Sequence, residues 1–495
     1  MNQGAPPVIM PALISRLLPT PAHHLRFFAV LAILLVGLLH RGVGLGTIPP
    51  PHATDDEVWY AWSGLSILHG EKPTAWSMLP GYRNRTLGWA WYANEKYHFV
   101  RPALDHPPLF PLLAGAFVSL TGPARMKIDL KPAGSVNLWD INLGKARILS
   151  LIMYTLAFLL LLDLVTLSLG FWPAVVAVAA YSFGLPIVLH QRLLVADNLA
   201  ALLLLGNLVV LQRFFLGRCS RRTFTIATLV LVPCATLTKI VAVTQAAVVG
   251  GLLLMRRQIR LLWIPVAGAA IGAVLLVAYA AALDWQLFRL VQGSQADRFS
   301  GFNFVERLLG SMQLVGHGQF SFFLCIGWIF ALAMALDRSA PPLAVGVVCY
   351  VVAMTFFADS RRVWGWHQLS LYPFLCMGYG WVFRRLWRST APGLSITVLG
   401  LLLIWVFQDF HLLFPASKGI TRFGYVIAVL GIFSVTQLSG GLRTRAIRSI
   451  LVFLMASGLL LEVARAARMT TADFPEAKKQ RPTGAALEVP AGFIR

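Results

Sequence analysis

The densest group of reactive side chains in the sequence is Asp55-Asp56-Glu57, followed at once by Trp59, Tyr60 and Trp62. Three adjacent carboxylates repel one another, which raises their pKa values and suits one of them to take a proton from an attacking hydroxyl. The aromatic group behind them suits a membrane–water interface. A structural reading also stands, in which Thr54 or Asp55 caps a helix and the acids favour its positive end. Further along, Asp105-His106-Pro107-Pro108-Leu109 sets a carboxylate and an imidazole ahead of a helix, with the paired prolines imposing an extended approach. Asp105 and His106 could fold back beside Asp56. With His52, His69 and His98 as spare ligands such a cluster could hold a divalent cation, but no metal-ligand spacing stands out and no metal or other cofactor is assigned.

The cations are placed as unusually as the acids. Lys239 interrupts the apolar run Phe224–Met255, and a lysine at mid-membrane costs about 3 kcal/mol. At the turn of a helical hairpin it is well placed for a phosphate, or it simply snorkels to the interface. Arg361 and Arg362 follow Asp359 and precede Trp364, Trp366 and His367, so they could clamp a lipid phosphate bidentately or pair locally with Asp359. Arg298, beside Asp297, adds a weaker charged pair. Arg192 and Asp197 open an otherwise apolar helix, where capping alone could account for Asp197.

The elements that must hold these groups are membrane helices. Of 495 residues, 57% are hydrophobic and 13% charged, with mean hydropathy +0.70, whereas a soluble domain carries about 25% charge. Apolar runs such as Phe27–Leu39, Ile148–Leu162, Leu262–Leu283 and Ile420–Leu438 match the hydrocarbon thickness, where a helix satisfies its own backbone. The net charge of +22 does not indicate a nucleic-acid partner, because Lys and Arg sit in short clusters between apolar runs. Those clusters (Arg213 to Arg222, Arg256 to Arg260, Arg384 to Arg388, Arg443 to Arg448) mark cytoplasmic loops. None of the five cysteines forms a CxxC pair, so no disulfide framework or thiolate metal site is implied.

With the basic clusters inside, about thirteen spans follow, near residues 26–46, 147–169, 171–190, 196–214, 223–238, 240–255, 261–283, 319–336, 341–358, 367–383, 392–408, 421–438 and 449–464. The first run lacks a small-residue cleavage signal and reads as a retained span. The N-terminus lies inside; residues 1–464 form one transmembrane domain, and 465–495 form a poorly ordered extracytoplasmic tail. Residues 47–146 form a long first extracytoplasmic loop, within which Pro108–Leu120 is too short to span and lies at the interface or dips in. Every unusual charge then gathers on the outer face, where a carboxylate base opposite cations suits transfer from a lipid phosphate.

These residues resemble a known family. Asp56-Glu57 with Tyr60 is similar to the Asp-Glu motif in the first outer loop of C-type (GT-C) membrane glycosyltransferases, and His106-Pro107-Pro108-Leu109 resembles their His/Lys-Pro-Pro-Leu segment. Arg192-Leu193-Leu194 with Asp197, then Leu237-Thr238-Lys239, resemble later landmarks in the same order. Together they resemble the bacterial branch of the dolichyl-phosphate-mannose protein mannosyltransferase superfamily, which includes the aminoarabinose lipid A transferases. The resemblance covers motifs over about residues 26–260 and topology beyond. It implies an all-α polytopic GT-C fold in the cell membrane, a polyprenyl-phosphate sugar donor, an extracytoplasmic lipid, glycan or protein acceptor, and inversion at the anomeric carbon. It further implies Asp56 as base, Asp105 as a second acid and Lys239 near the donor phosphate. Asp55 leaves the acidic motif ambiguous by one position, and the stretch from Gly70 to Asp105, with Tyr82, Trp89, Trp91, Tyr92 and Tyr97, is an insert that could shape an acceptor site. The competing class is a secondary transporter or lipid flippase, which would be expected to show internal repeats and broken helices at the midplane; no repeat is evident here.

Overall fold

Long apolar stretches become helices because a lipid-facing backbone has no water to bond to, and this requirement dominates the chain. The computed structural model describes residues 21–469 and 473, apart from 51–53, 55, 93–94, 297–320, 338–339, 356–364, 390 and 415–417. Helix α1 (Pro21–Gly42) leads into the first long connecting segment. That segment carries α2 (Asp56–Leu68), strands β1 (Ala75–Ser77), β2 (Thr86–Tyr92) and β3 (Glu95–Val100), helix α3 (Leu109–Ser119), a hairpin of β4 (Arg125–Asp129) and β5 (Ser135–Trp139), and the short α4 (Leu143–Ala146). Helices α5 (Ile148–Leu169), α6 (Phe171–Phe183), α7 (Leu185–Arg192), α8 (Ala196–Phe215), α9 (Arg221–Thr238), α10 (Thr244–Met255) and α11 (Trp263–Ala296) follow. The rest is α12 (Phe322–Leu336), α13 (Gly346–Thr355), α14 (Tyr372–Arg388), α15 (Pro392–Leu413), α16 (Lys418–Gln437) and α17 (Gly440–Arg468).

Among the described residues six helices are long and apolar enough to cross a membrane, or seven if α6 and α7, bent by 60°, form one broken span. Several of the thirteen expected spans are therefore shorter apolar helices, such as α10, α12 and α13. The chain is a multi-pass membrane protein: large apolar side chains including Leu35, Val266, Val274, Phe453 and Leu460 face outward, as a lipid solvent permits. Helix contacts rely on small residues. Gly268 and Gly272 of α11 sit four apart against Val232, Pro233 and Thr236 of α9, and Gly378 and Gly380 of α14 meet the backbones of α12 and α6. The α6–α7 break at Gly184 is closed by a residue far away in sequence: the Leu185 N–H donates to Glu462 Oε2 of α17 at 2.8 Å, and Trp405 Nε1 donates to the other oxygen at 3.2 Å.

The first connecting segment carries the expected helices and, in addition, strands that the sequence did not lead one to expect. A three-stranded antiparallel sheet, ordered β1-β3-β2, fills the insert, and Trp89 bridges its edge to Lys131 beside the β4–β5 hairpin. The aromatic, alternating Thr86–Tyr92 run favours a strand. Helix α3 is the short apolar element expected over Pro108–Leu120, and it packs flat on α2. At their crossing a Cβ on Gly64 would collide with the Pro111 carbonyl, and one on Gly115 would collide with the Gly64 backbone. Gly64→Ala is therefore expected to destabilise the chain by about 1–3 kcal/mol, read as a lower melting temperature in detergent; an unchanged melting temperature would show that the helices can separate freely. The expected tail begins inside α17, which continues to Arg468; residues 474–495 lie outside the described residues.

Candidate active site

Helix α2 begins at Asp56, whose backbone N–H donates to Thr54 Oγ1 at 3.3 Å, and its first turn carries both Asp56 and Glu57 where the helix dipole favours acids. The two then diverge, since adjacent helical positions face different ways. Glu57 points inward and is fully buried: Oε1 and Oε2 accept from Arg147 Nε and Nη2 at 2.8 and 2.6 Å, and Oε1 also accepts from the Leu194 N–H at 2.8 Å. Arg147 donates further to the Leu45 and Pro49 carbonyls at 2.8 and 2.7 Å. Geometry thus gives Glu57 a scaffolding place, joining α2 to the head of α5 and to the α7–α8 link.

Asp56 is half-buried and looks the other way, toward Lys239, Asp197 and Asp105. Loss of solvent is the largest influence on its carboxyl, Lys239 opposes it, and the negative charges of Asp197, Asp105 and Glu57 reinforce it; the pKa is pushed up to about 6. One turn along, Tyr60 is buried beside Asp56 and Asp197, and loss of solvent followed by those charges keeps its hydroxyl protonated far above the ordinary range. The His106 ring packs edgewise on Trp59 at 4.7 Å and at a tilt on Tyr60 at 5.0 Å, so the Asp105-His106 segment does fold back on α2. Asp105 accepts from Ser77 Oγ at 2.7 Å and from Tyr82 Oη at 2.6 Å. Its backbone carbonyl accepts from Gln295 at 3.0 Å, while Gln292 bonds the Leu104 carbonyl at 3.2 Å. Both glutamines lie beyond a break in α11 at Asp284, where the backbone is extended.

Lys239 sits where α9 ends, in extended backbone before a turn leading to α10, as expected for a hairpin apex. Its ammonium donates to both oxygens of Asp197 at 2.8 Å, and both side chains are largely buried. Tyr350, with Ser370 and Thr244 around its hydroxyl, approaches Asp197 from α13, and His367 joins from the turn before α14, where Lys239, His106 and His190 are the charges acting on its ring. Arg192 is directed elsewhere: its guanidinium bonds the Ile48 carbonyl at 3.0 Å and the His40 carbonyl, tying α7 to the end of α1.

The structure therefore brings together Asp56, Tyr60, Asp105, His106, Asp197, Lys239 and His367. It places Glu57 and Arg192 in supporting contacts. Asp55, Arg298, Arg361 and Arg362 lie outside the described residues. Among the described residues no group of three His, Cys, Asp or Glu side chains could hold a metal ion. Sequence reasoning missed Arg147, Ser77 and Tyr350, and it named Tyr82 only as part of an insert. Arg147 had a signal, being an arginine at the head of a span on the side that the basic clusters avoid; Ser77 and Tyr350 had none.

No protein-family model and no curated protein matches the sequence. Solved structures do match in fold. ArnT from Cupriavidus metallidurans in the apo state aligns over 91% of this chain and 77% of its own, at 15% identity and a TM-score of 0.50. The same protein bound to undecaprenyl phosphate gives 16% identity, the same coverage and a TM-score of 0.49. The archaeal oligosaccharyltransferase AglB from Archaeoglobus fulgidus, in complex with an inhibitory peptide and a dolichol-phosphate, aligns over 88% of this chain and 56% of its own at 10% identity and a TM-score of 0.44. The chain has the GT-C fold that its motifs led one to expect.

Proposed function

We propose that this chain is an inverting membrane glycosyltransferase that moves a sugar from a polyprenyl-phosphate carrier to an acceptor outside the cytoplasm. The observation that carries the reading is that Asp56, a half-buried carboxyl with its pKa raised to about 6, lies within reach of the charges of the directly bonded Lys239–Asp197 pair. A carboxyl so poised is largely ionised at neutral pH yet basic enough to take a proton. In the step it serves, the acceptor oxygen attacks the anomeric carbon while its proton passes to Asp56. The bond between that carbon and the carrier phosphate breaks from the opposite face, and its electron pair stays on the phosphate oxygen beside Lys239. Tyr60, protonated, offers a hydrogen bond to the sugar or acceptor; His106 and His367 line the same space, and Asp105 is fixed by Ser77 and Tyr82 as a second acid.

The two solved ArnT structures lend support as a fold that accepts undecaprenyl phosphate in one of its members. Arg298, Arg361 and Arg362 remain candidates for further phosphate contacts, on their sequence context alone. The positive-inside pattern supports an active site on the extracytoplasmic face of the cell membrane.

Native mass spectrometry of the gently purified protein tests the reading. A polyprenyl phosphate, bare or sugar-loaded, is expected to co-purify with the wild type and to be lost from Lys239→Ala, and an attached sugar would identify the donor. Ordinary phospholipid alone in both samples would count against the transferase and turn attention to lipid transport.

A further inference from the structure

The Lys239 ammonium is not waiting free for a phosphate. Asp197 already holds it through both carboxylate oxygens at 2.8 Å, in surroundings with little solvent to screen the pair. Asp56 lies close enough to feel the charges of both Lys239 and Asp197. A carboxylate on the ammonium, with a second close by, makes an odd receptor for an anion if tight binding is the only requirement. It makes sense if the anion must also leave.

The reaction proposed above changes the charge of the group that Lys239 faces. The donor is a phosphodiester with one negative charge. Breaking the bond to the sugar leaves a phosphate monoester, whose second ionisation near pH 6 brings it to about −1.5 to −2 at neutral pH. A lone cation would therefore hold the spent carrier more tightly than the fresh one, and product would accumulate on the enzyme. A fixed carboxylate beside the cation weakens this preference, because its repulsion acts about twice as strongly on the monoester as on the diester and so offsets most of the extra attraction.

We propose that Asp197, paired through both oxygens with Lys239, is a positioning residue that serves as a built-in counter-anion, weakening the hold of the lysine on the doubly charged product more than on the singly charged donor and so promoting release of the spent carrier. The proposal rests on the reading of Lys239 as the phosphate partner. Asn is nearly isosteric with Asp and can still accept a hydrogen bond from the ammonium, so Asp197→Asn removes the charge while leaving the geometry close to native.

The test measures binding of two probes, undecaprenyl phosphate and its monomethyl ester, to the detergent-purified full chain at pH 8. Wild type, Asp197→Asn, Asp197→Ala and Lys239→Ala are compared. Removal of the carboxylate in either Asp197 variant is expected to tighten the monoester by about tenfold or more and the methyl ester by a clearly smaller factor. Two results would overturn the proposal. One is weakening of both probes in the Asp197 variants, which would make the carboxylate only a support for the lysine; the other is equal tightening of both, which would remove the discrimination. Lys239→Ala is expected to weaken both probes. Should it bind them as the wild type does, the phosphate reading of Lys239 fails instead, a result distinguishable from either outcome at Asp197.

Discussion

Asp56→Asn is expected to lower transfer by about 10²–10⁴-fold while leaving the protein folded, because the amide keeps the shape of the carboxyl but cannot accept a proton. Folding should survive, since the charged form of Asp56 is disfavoured by lost solvent and by three neighbouring acids, and removing that charge relieves a cost. The wild-type rate carries a second signature. The base must be ionised, so the rate should fall as pH drops through about 6, the raised pKa of this carboxyl. The residual rate of the variant should lack that limb. Steady-state transfer measured from pH 5 to 8 checks both statements. Undiminished activity in Asp56→Asn would shift the base to Asp55 or Asp105.

The second large effect falls on stability. Arg147→Ala should destabilise the fold by about 3–5 kcal/mol, because it strands the buried Glu57 carboxylate without a cation. It also removes the donors held by the Leu45 and Pro49 carbonyls. Replacing both partners by apolar residues of similar size, Glu57→Leu with Arg147→Met, removes the stranded charge and should recover part of the loss. Thermal unfolding in detergent reads the difference. A single variant that melts with the wild type would mean that the Glu57–Arg147 pair does not hold α2 in place.

Much of this was legible because lipid imposes blunt rules. Apolar runs of span length and the one-sided placement of arginine marked a helical membrane protein, and the proline-led Leu109–Ser119 was recognisable as too short to cross. Lys239 stood out because a charge inside a long apolar run has to have a reason. Less was legible where neighbouring residues carry similar chemistry. Asp56 and Glu57 are both helical acids in one turn, and only the packing of α2 shows that one meets an arginine and the other a lysine-bearing pocket. The β1–β3–β2 sheet escaped notice because its strands are short and one of them is interrupted by Gly88. Ser77 and Tyr82 escaped with it, since they meet Asp105 only once that sheet has formed.

The carboxylate of Glu462 has a bearing on biogenesis. It closes the head of α7, and α7 in turn carries Arg192, which ties down the end of α1, and leads to Leu194, whose N–H holds Glu57 beneath the pocket. A ribosome delivers α7 to the membrane long before it delivers α17, with 277 residues separating Leu185 from Glu462. Through that interval the broken span has its first backbone donor uncapped, and the floor under Asp56 is unfinished. The nascent chain thus carries Asp56, Asp197 and Lys239 into the membrane well before the residue that completes their support. Only when α17 arrives does Glu462 close the broken span and complete the support beneath Glu57.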